Sequence, residues 1–154
     1  RRCRRAWRED TALRIFPNMS AGYSSRPLVA KLGIKPHTRI AVLGAPRGYR
    51  TTLGTLPPGV AIADTLRGTL PFIHFFTKQR AALESRFPML ERALATDGAL
   101  WISWPKQSSG VETDLSENEV RQVALANGLV DVKVCAVDEV WSGLKLVRRL
   151  KDRR

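Results

Sequence analysis

The chain has 154 residues, of which 44% are hydrophobic and 26% charged, which is enough for the core of one domain and too little for two. No apolar run approaches the roughly 18 residues that a membrane span needs, and the basic amino terminus lacks the apolar region of a secretory signal. We therefore expect a single cytoplasmic unit that makes no contact with a membrane.

The net charge of +12 is concentrated at the two ends of the chain. Residues 1–18 contribute +4 and residues 145–154 contribute +5, which leaves +3 for the body between them. Blocks of like charge at termini are usually solvated tails, and no aromatic residue is interleaved with the carboxyl-terminal block to stack on bases. We therefore expect no nucleic-acid binding beyond nonspecific contacts of these tails.

The residues before Met19 show no sustained hydrophobic periodicity. Met19 is a candidate natural start, which would make residues 1–18 a non-native or disordered basic extension. A short helix over residues 6–16 is the alternative. Residues 19–149 are then expected to form the single domain and residues 150–154 a basic tail.

Short apolar runs rich in aromatic or β-branched residues predict six strands. In chain order they cover residues 39–43, 60–63, 71–77, 99–105, 131–137 and 143–149. The third run, "PFIHFFT", is apolar on both alternating faces and predicts a central, covered strand. The last two runs are joined by the short segment "DEVWS", which predicts an antiparallel hairpin.

Two short helices are predicted around the first strand. The earlier one is capped by Ser24 or Ser25, has Pro27 in its first turn and stops at Gly33. The later one covers residues 49–56 and must end before the prolines that follow, because proline has no amide hydrogen to donate.

Two longer helices are predicted in the second half of the chain. The first carries an apolar stripe at helical spacing, formed by Leu83, Phe87, Leu90 and Leu94. Pro88 is expected to kink or split this helix, and Gly98 to release the chain into the fourth strand. Ser116 and Glu119 form a capping box that starts the last helix, whose apolar face is Val120, Val123 and Ala124.

This alternation predicts an α/β fold: one Rossmann-like, mostly parallel sheet with helices on both faces and a C-terminal antiparallel hairpin. Right-handed crossovers place strands one and three side by side, with strand two on the far side of strand one. This reversal of the strand order between strands one and three creates a switch point, where a ligand is expected to bind. The closing hairpin is the arrangement found in class I methyltransferases.

Five stretches carry a resemblance to a known family: "SAGYS", "KLGIKP", "LGAPRGY", "LWISWPKQSSGVETDLSENEVR" and "GLVDVKVCAVDEVWSGLKLVRRLKDR". In them the chain resembles the short bacterial proteins classed as domain of unknown function 3052, over nearly all of residues 19–153. The resemblance implies a start at the methionine before "SAGYS" and a methyltransferase-like Rossmann fold, with no established activity and no assigned catalytic residue. His74 departs from the aliphatic residue usual there and receives no role.

The loop after strand one is the first candidate ligand site. Gly44, Arg47 and Gly48 lie where backbone amides and a helix start hold anions in other α/β proteins, and a plain strand-to-helix turn is the alternative. Lys78 follows the third strand at the same predicted edge. Asp64, about 20 residues after Gly44, is a weak candidate for a ribose-binding carboxylate, since no Gly-x-Gly-x-x-Gly precedes it.

The loop after strand four is the second candidate. Lys106, Ser108, Ser109 and Gly110 offer a charge and adaptable donors for phosphate or carboxylate, against the alternative of a solvated loop. Trp141 is a candidate stacking surface or a core aromatic. The cysteines and histidines show no metal-ligand spacing, so no metal and no cofactor are expected.

These patterns favour a noncatalytic Rossmann-like module that binds a small anionic ligand or a protein partner. One alternative is a divergent S-adenosylmethionine-dependent methyltransferase-like enzyme, and a second is a protein associated with nucleic acid through its basic tails. The loop "LGAPRGYR" argues against the methyl donor, because Pro46 lacks an amide and three residues fill the space between two lone glycines.

Overall fold

Six strands form one sheet in the computed structural model, which describes residues 26–153. In chain order the strands are β1 (Arg39–Leu43), β2 (Ala61–Ala63), β3 (Leu70–Phe76), β4 (Leu94–Pro105), β5 (Leu129–Ala136) and β6 (Trp141–Arg148). They lie side by side in the order β2-β1-β3-β4-β6-β5. The first four run parallel, whereas β6 is antiparallel to both β4 and β5. The predicted parallel sheet, closing hairpin and switch point are therefore confirmed.

Helices cover both faces of this sheet. In the described part of the chain they are α1 (Leu28–Leu32), α2 (Tyr49–Leu53), α3 (Arg80–Ala93) and α4 (Glu117–Ala126), with single 3-10 turns at Gln107–Ser109 and Leu150–Asp152. The apolar side chains of α1 and α2 pack in one core cluster, and those of α3 and α4 pack in the other. We call these the α1 face and the α3 face of the sheet.

Strand β3 lies at the centre because both of its faces are apolar. Ile73 and Phe75 belong to the core on the α3 face, whereas Phe72 and Phe76 belong to the core on the α1 face. Successive side chains of a strand point to opposite faces, so an unbroken apolar run is suited to a strand with helices on both sides.

Two of the residues predicted to start and end helices lie at the helix termini. Gly33 ends α1 in the left-handed conformation, with φ of 80°. Ser116 precedes α4, and its hydroxyl donates to the Glu119 carboxylate instead of bonding a backbone amide. This hydrogen bond lowers the pKa of Glu119 below its ordinary value. The proposed capping residues Ser24 and Ser25 lie outside the described residues.

The structure overturns two expectations here: a split of the third helix at Pro88 and a fourth strand that begins only after Gly98. Helix α3 runs unbroken through Pro88, so the proline does not split it. Pro88 lies on the exposed side of the helix, where water can solvate the carbonyl that it leaves without an amide donor. Leu94 is buried, but as the first residue of β4, and Gly98 lies inside that strand.

The carboxyl-terminal basic block is not a solvated tail throughout. Arg148 ends β6 with its side chain only 17% exposed, and its guanidinium donates to the carbonyl oxygens of Glu91 and Leu94 at 2.8 and 2.7 Å. It thereby caps the end of α3. Residues 1–18 lie outside the described part of the chain. No helix within residues 26–153 combines the length and the apolar character of a membrane span.

Candidate functional site

The candidate residues gather at one edge of the sheet. The loops that leave β1, β2, β3 and β4 all emerge at the carboxyl ends of these parallel strands. Because β6 runs antiparallel, its first residue reaches the same edge. We call this the carboxyl edge; its candidates are Gly44, Arg47, Gly48, Asp64, Lys78, Lys106, Ser108, Ser109, Gly110 and Trp141.

The loop after β1 is a tight turn packed against the end of β3. Gly44 has φ of 72°, and a Cβ at this position would lie 2.8 Å from the Phe76 carbonyl oxygen. Gly48 is also left-handed, with φ of 87°, and directly precedes α2. The Arg47 side chain is exposed. Glycine is therefore required at 44 both for its backbone conformation and for its close contact with β3.

The loop after β4 is held by its own polar groups. The Lys106 amide donates to the Val140 carbonyl at 2.7 Å, which ties the loop to the hairpin turn. The Ser109 hydroxyl donates to the Lys106 carbonyl at 2.6 Å and accepts the Val111 amide at 3.2 Å. Ser108 stays exposed. The candidate hydroxyl of Ser109 thus has a structural partner within the loop.

The same loop fixes the start of α3. The Thr113 hydroxyl donates to the Lys78 carbonyl at 2.6 Å, and the Asp114 carboxylate accepts the Arg80 amide at 2.8 Å. Arg80 is the first residue of α3, whose amide has no partner within the helix. The backbone of Lys78 is therefore held by the loop after β4, while its side chain is exposed.

A buried polar network lies beneath these loops. His74 is fully buried, with its Nδ1 2.8 Å from the Tyr49 hydroxyl and its Nε2 2.7 Å from the Ser103 hydroxyl. A neutral imidazole donates through one nitrogen and accepts at the other, so both hydroxyls can be satisfied. His74 is therefore a core histidine whose two ring nitrogens both have partners.

Burial decides the protonation of this network. It lowers the pKa of His74 from 6.5 to about 3, and it raises the pKa of Tyr49 well above its ordinary value. Both groups are therefore uncharged at neutral pH. From its place in β3, the His74 imidazole bonds to side chains of α2 and β4 and thereby joins these three elements.

Aromatic rings extend this network towards the hairpin. The Phe76 ring stacks on His74 with centroids 4.2 Å apart and meets Trp141 edge to face at 5.2 Å. Trp141 is only 8% exposed. The Asp138 carboxylate accepts the amides of Val140 and Trp141, each at 2.8 Å. The structure places Trp141 in the core and uses Asp138 to shape the turn.

The Tyr49 and Ser103 partners were missed by sequence reasoning. The pairing of β3 with β4 brings Ser103 near His74, and the packing of α2 on the sheet brings Tyr49 to it. The one available signal was His74 itself, since a buried imidazole requires polar partners.

Comparison with known proteins identifies a fold. No protein-family model and no curated protein matches the chain. Among solved structures, it is similar to an S-adenosylmethionine-dependent methyltransferase from Aquifex aeolicus, with a TM-score of 0.54 and 14% identity over 77% of this chain and 86% of the other.

Two further methyltransferases show the same likeness. For magnesium protoporphyrin IX methyltransferase from Synechocystis PCC 6803 the TM-score is 0.54 at 12% identity, covering 79% of this chain and 78% of the other. For 1,6-didemethyltoxoflavin-N1-methyltransferase from Burkholderia thailandensis it is 0.53 at 16% identity, covering 80% and 77%. At such identities the likeness shows the fold alone: a Rossmann-like, class I methyltransferase-like domain.

Proposed function

We propose that this chain is a noncatalytic Rossmann-like module that binds a small anionic ligand at the carboxyl edge of its sheet. One observation carries the proposal: His74 is buried and hydrogen-bonded to Tyr49 and Ser103, whereas Arg47 and Lys78, in the loops after β1 and β3, are exposed. Exposed cations next to a buried, fully bonded histidine suit surface binding of an anion better than enclosure of a reacting substrate.

The polar groups near this edge support the absence of catalysis. His74 is enclosed and uncharged, and the carboxylates of Asp114 and Asp138 are bonded to backbone amides. General acid–base catalysis requires a group whose pKa lies near the working pH and which reaches the substrate. His74 is too deeply enclosed to reach a substrate, and the carboxylates of Asp114 and Asp138 are already occupied by backbone amides.

The alternative proposal is a divergent S-adenosylmethionine-dependent enzyme, and the fold of the solved neighbours favours it. The Synechocystis and Burkholderia structures hold S-adenosylhomocysteine. Against this alternative, Gly44 packs on the Phe76 carbonyl and Pro46 supplies no amide. Asp64, the carboxylate after β2, is exposed.

We also propose that the chain belongs to the family classed as domain of unknown function 3052, on the five stretches quoted above.

Isothermal titration with pyrophosphate, citrate and S-adenosylmethionine tests the proposal. We expect pyrophosphate or citrate to bind with a Kd below about 1 mM, and S-adenosylmethionine to bind no tighter than that. The double variant Arg47→Gln, Lys78→Gln should weaken anion binding at least tenfold. Arg92→Gln, which removes an exposed cation from α3, is the matched control and should leave the Kd unchanged.

Two outcomes would contradict the proposal. One is an anion Kd that the double variant does not change. The other is micromolar binding of S-adenosylmethionine that weakens in Gly44→Val, which would make the loop a cofactor site and the enzyme the better description.

A further inference from the structure

A second candidate site lies at the opposite edge of the sheet, where the parallel strands begin. There a cavity of about 500 Å³ opens on the α1 face, between the end of α1, the start of β3 and β4, and the end of β6. Its apolar floor includes the buried side chains of Leu32, Ile34 and Phe72. This volume lies within the range of pockets that hold small organic ligands.

Cations line the mouth of this cavity. Lys35, Lys145 and Arg153 all contribute to its wall, and Asp97 is the acidic residue there. Within residues 26–153, neither Lys35 nor Lys145 forms an ion pair with a carboxylate. The local excess of positive charge is therefore not neutralised by the described part of the protein.

A fourth cation increases this excess. Lys133 stands directly opposite Lys145 in the β5–β6 register, and its ammonium donates to the Lys31 carbonyl at 2.9 Å. Like charges opposite one another on neighbouring strands are destabilising. Burial, and then the charges of Lys133 and Lys35, lower the pKa of Lys145, so the ammonium groups are close enough to repel.

We propose that this cavity binds a phosphate monoester that carries an apolar or aromatic body, with the phosphate on Lys35 and Lys145 and the body on the floor of Leu32, Ile34 and Phe72. The phosphate dianion would neutralise the facing ammonium groups through charge-assisted hydrogen bonds. Such bonds are stronger in a cavity than in an ion pair on an exposed surface. Asp97 supplies an acceptor for a hydroxyl of the ligand. This site is distinct from the carboxyl edge, and neither proposal depends on the other.

Titration of the full chain with four probes tests this site. We expect AMP and 1-naphthyl phosphate to bind with a Kd below about 1 mM. Inorganic phosphate lacks the body and adenosine lacks the charge, so each should bind at least tenfold more weakly than AMP. If neither phosphate ester binds at 1 mM, the proposal is wrong.

Variants locate the binding. Lys145→Gln should weaken AMP binding at least tenfold while its Tm equals or exceeds that of the wild type, because the substitution also removes a repelling charge. Lys35→Gln, at an exposed position between α1 and β1, is the second variant should the first fail to fold. Lys151→Gln in the 3-10 turn is the control that should change nothing. AMP binding that survives both Lys145→Gln and Lys35→Gln, or that is lost in the Arg47→Gln, Lys78→Gln double variant alone, would overturn this site.

Discussion

The imidazole of His74 couples the stability of the fold to pH. Its pKa is near 6.5 when exposed and about 3 in the folded chain. Between these values the unfolded chain binds a proton that the folded chain does not, so stability that is present above pH 6.5 is lost as the pH falls towards 3. We expect a loss of up to about 1.4 kcal/mol per pH unit from this group.

Urea unfolding at pH 7.0, 6.0 and 5.0 measures this slope. His74→Gln should be less stable at pH 7.0, because it leaves at least one buried hydroxyl with a poorer partner, and its unfolding free energy should fall less steeply with pH. His37→Asn removes the other, exposed histidine and suits its left-handed backbone, with φ of 59°. Equal slopes in the wild type and in His74→Gln would contradict the enclosed position of His74.

Alanine substitutions at Gly44 and Gly48 distinguish two losses of folding free energy, one from a left-handed backbone and one from a steric contact of the added Cβ. Both are left-handed, but a Cβ at 48 meets nothing within 4 Å, whereas one at 44 meets the Phe76 carbonyl. We expect Gly48→Ala to cost about 1 kcal/mol through its backbone. Gly44→Ala should cost about 1–3 kcal/mol more, since the loop must move away from β3. Chemical denaturation compares the two variants, and equal losses would show that the loop is not packed on β3.

Single residues also show how far sequence reasoning reaches into the candidate site. The loops after β1 and β4 could be placed at one edge, because parallel strands all end there. The hydrogen bonds of Ser109, Asp114 and Asp138 to backbone groups could not be predicted, because each depends on how a loop packs against its neighbours.

At the scale of elements, Arg148 holds the end of α3 against the sheet. Its guanidinium donates to the Glu91 and Leu94 carbonyls and pairs with the Glu91 carboxylate. Hydrogen bonds to a charged group are worth about 1.5–3 kcal/mol, so Arg148→Met should reduce the unfolding free energy by at least about 2 kcal/mol. The measurement is equilibrium unfolding in urea.

Arg149→Met is the control for that variant. Arg149 is more exposed and pairs with Asp152 at 3.9 Å, a contact worth less than about 1 kcal/mol. If both substitutions cost the same, Arg148 does not cap α3.

Elements with strong local signals were predictable, and their junctions were not. Strand β1 has the predicted bounds, because its apolar run is short and ends at a glycine. Helix α3 and β4 meet at Leu94 without a turn, and β4 begins before Gly98 because Leu70 pairs with Leu94 and the register then shifts. Such pairing between distant segments overrides the local tendency of glycine to end an element.

At the scale of the whole molecule, basic residues lie at both edges of the sheet. The cavity at the edge where the parallel strands begin joins Lys35, which precedes β1, to Lys145 in the last strand. Periodicity predicts which element a residue belongs to, but these two meet only because β6 inserts between β4 and β5. The fold class was therefore readable from the sequence, whereas this cavity was not.

This distribution of charge also governs contact with nucleic acid. The chain has 26 basic and 14 acidic side chains, but Arg148 and Arg121 are partly neutralised by ion pairs with carboxylates. Scattered cations bind phosphates through counterion release, which is independent of sequence and weakens steeply with salt. We expect the affinity for two unrelated DNA duplexes of about 20 base pairs to be equal, and to fall at least tenfold between 50 and 200 mM salt. Fluorescence anisotropy measures both quantities. A preference for one duplex that persists at 200 mM salt would require base contacts and would favour a nucleic-acid function over a small anionic ligand.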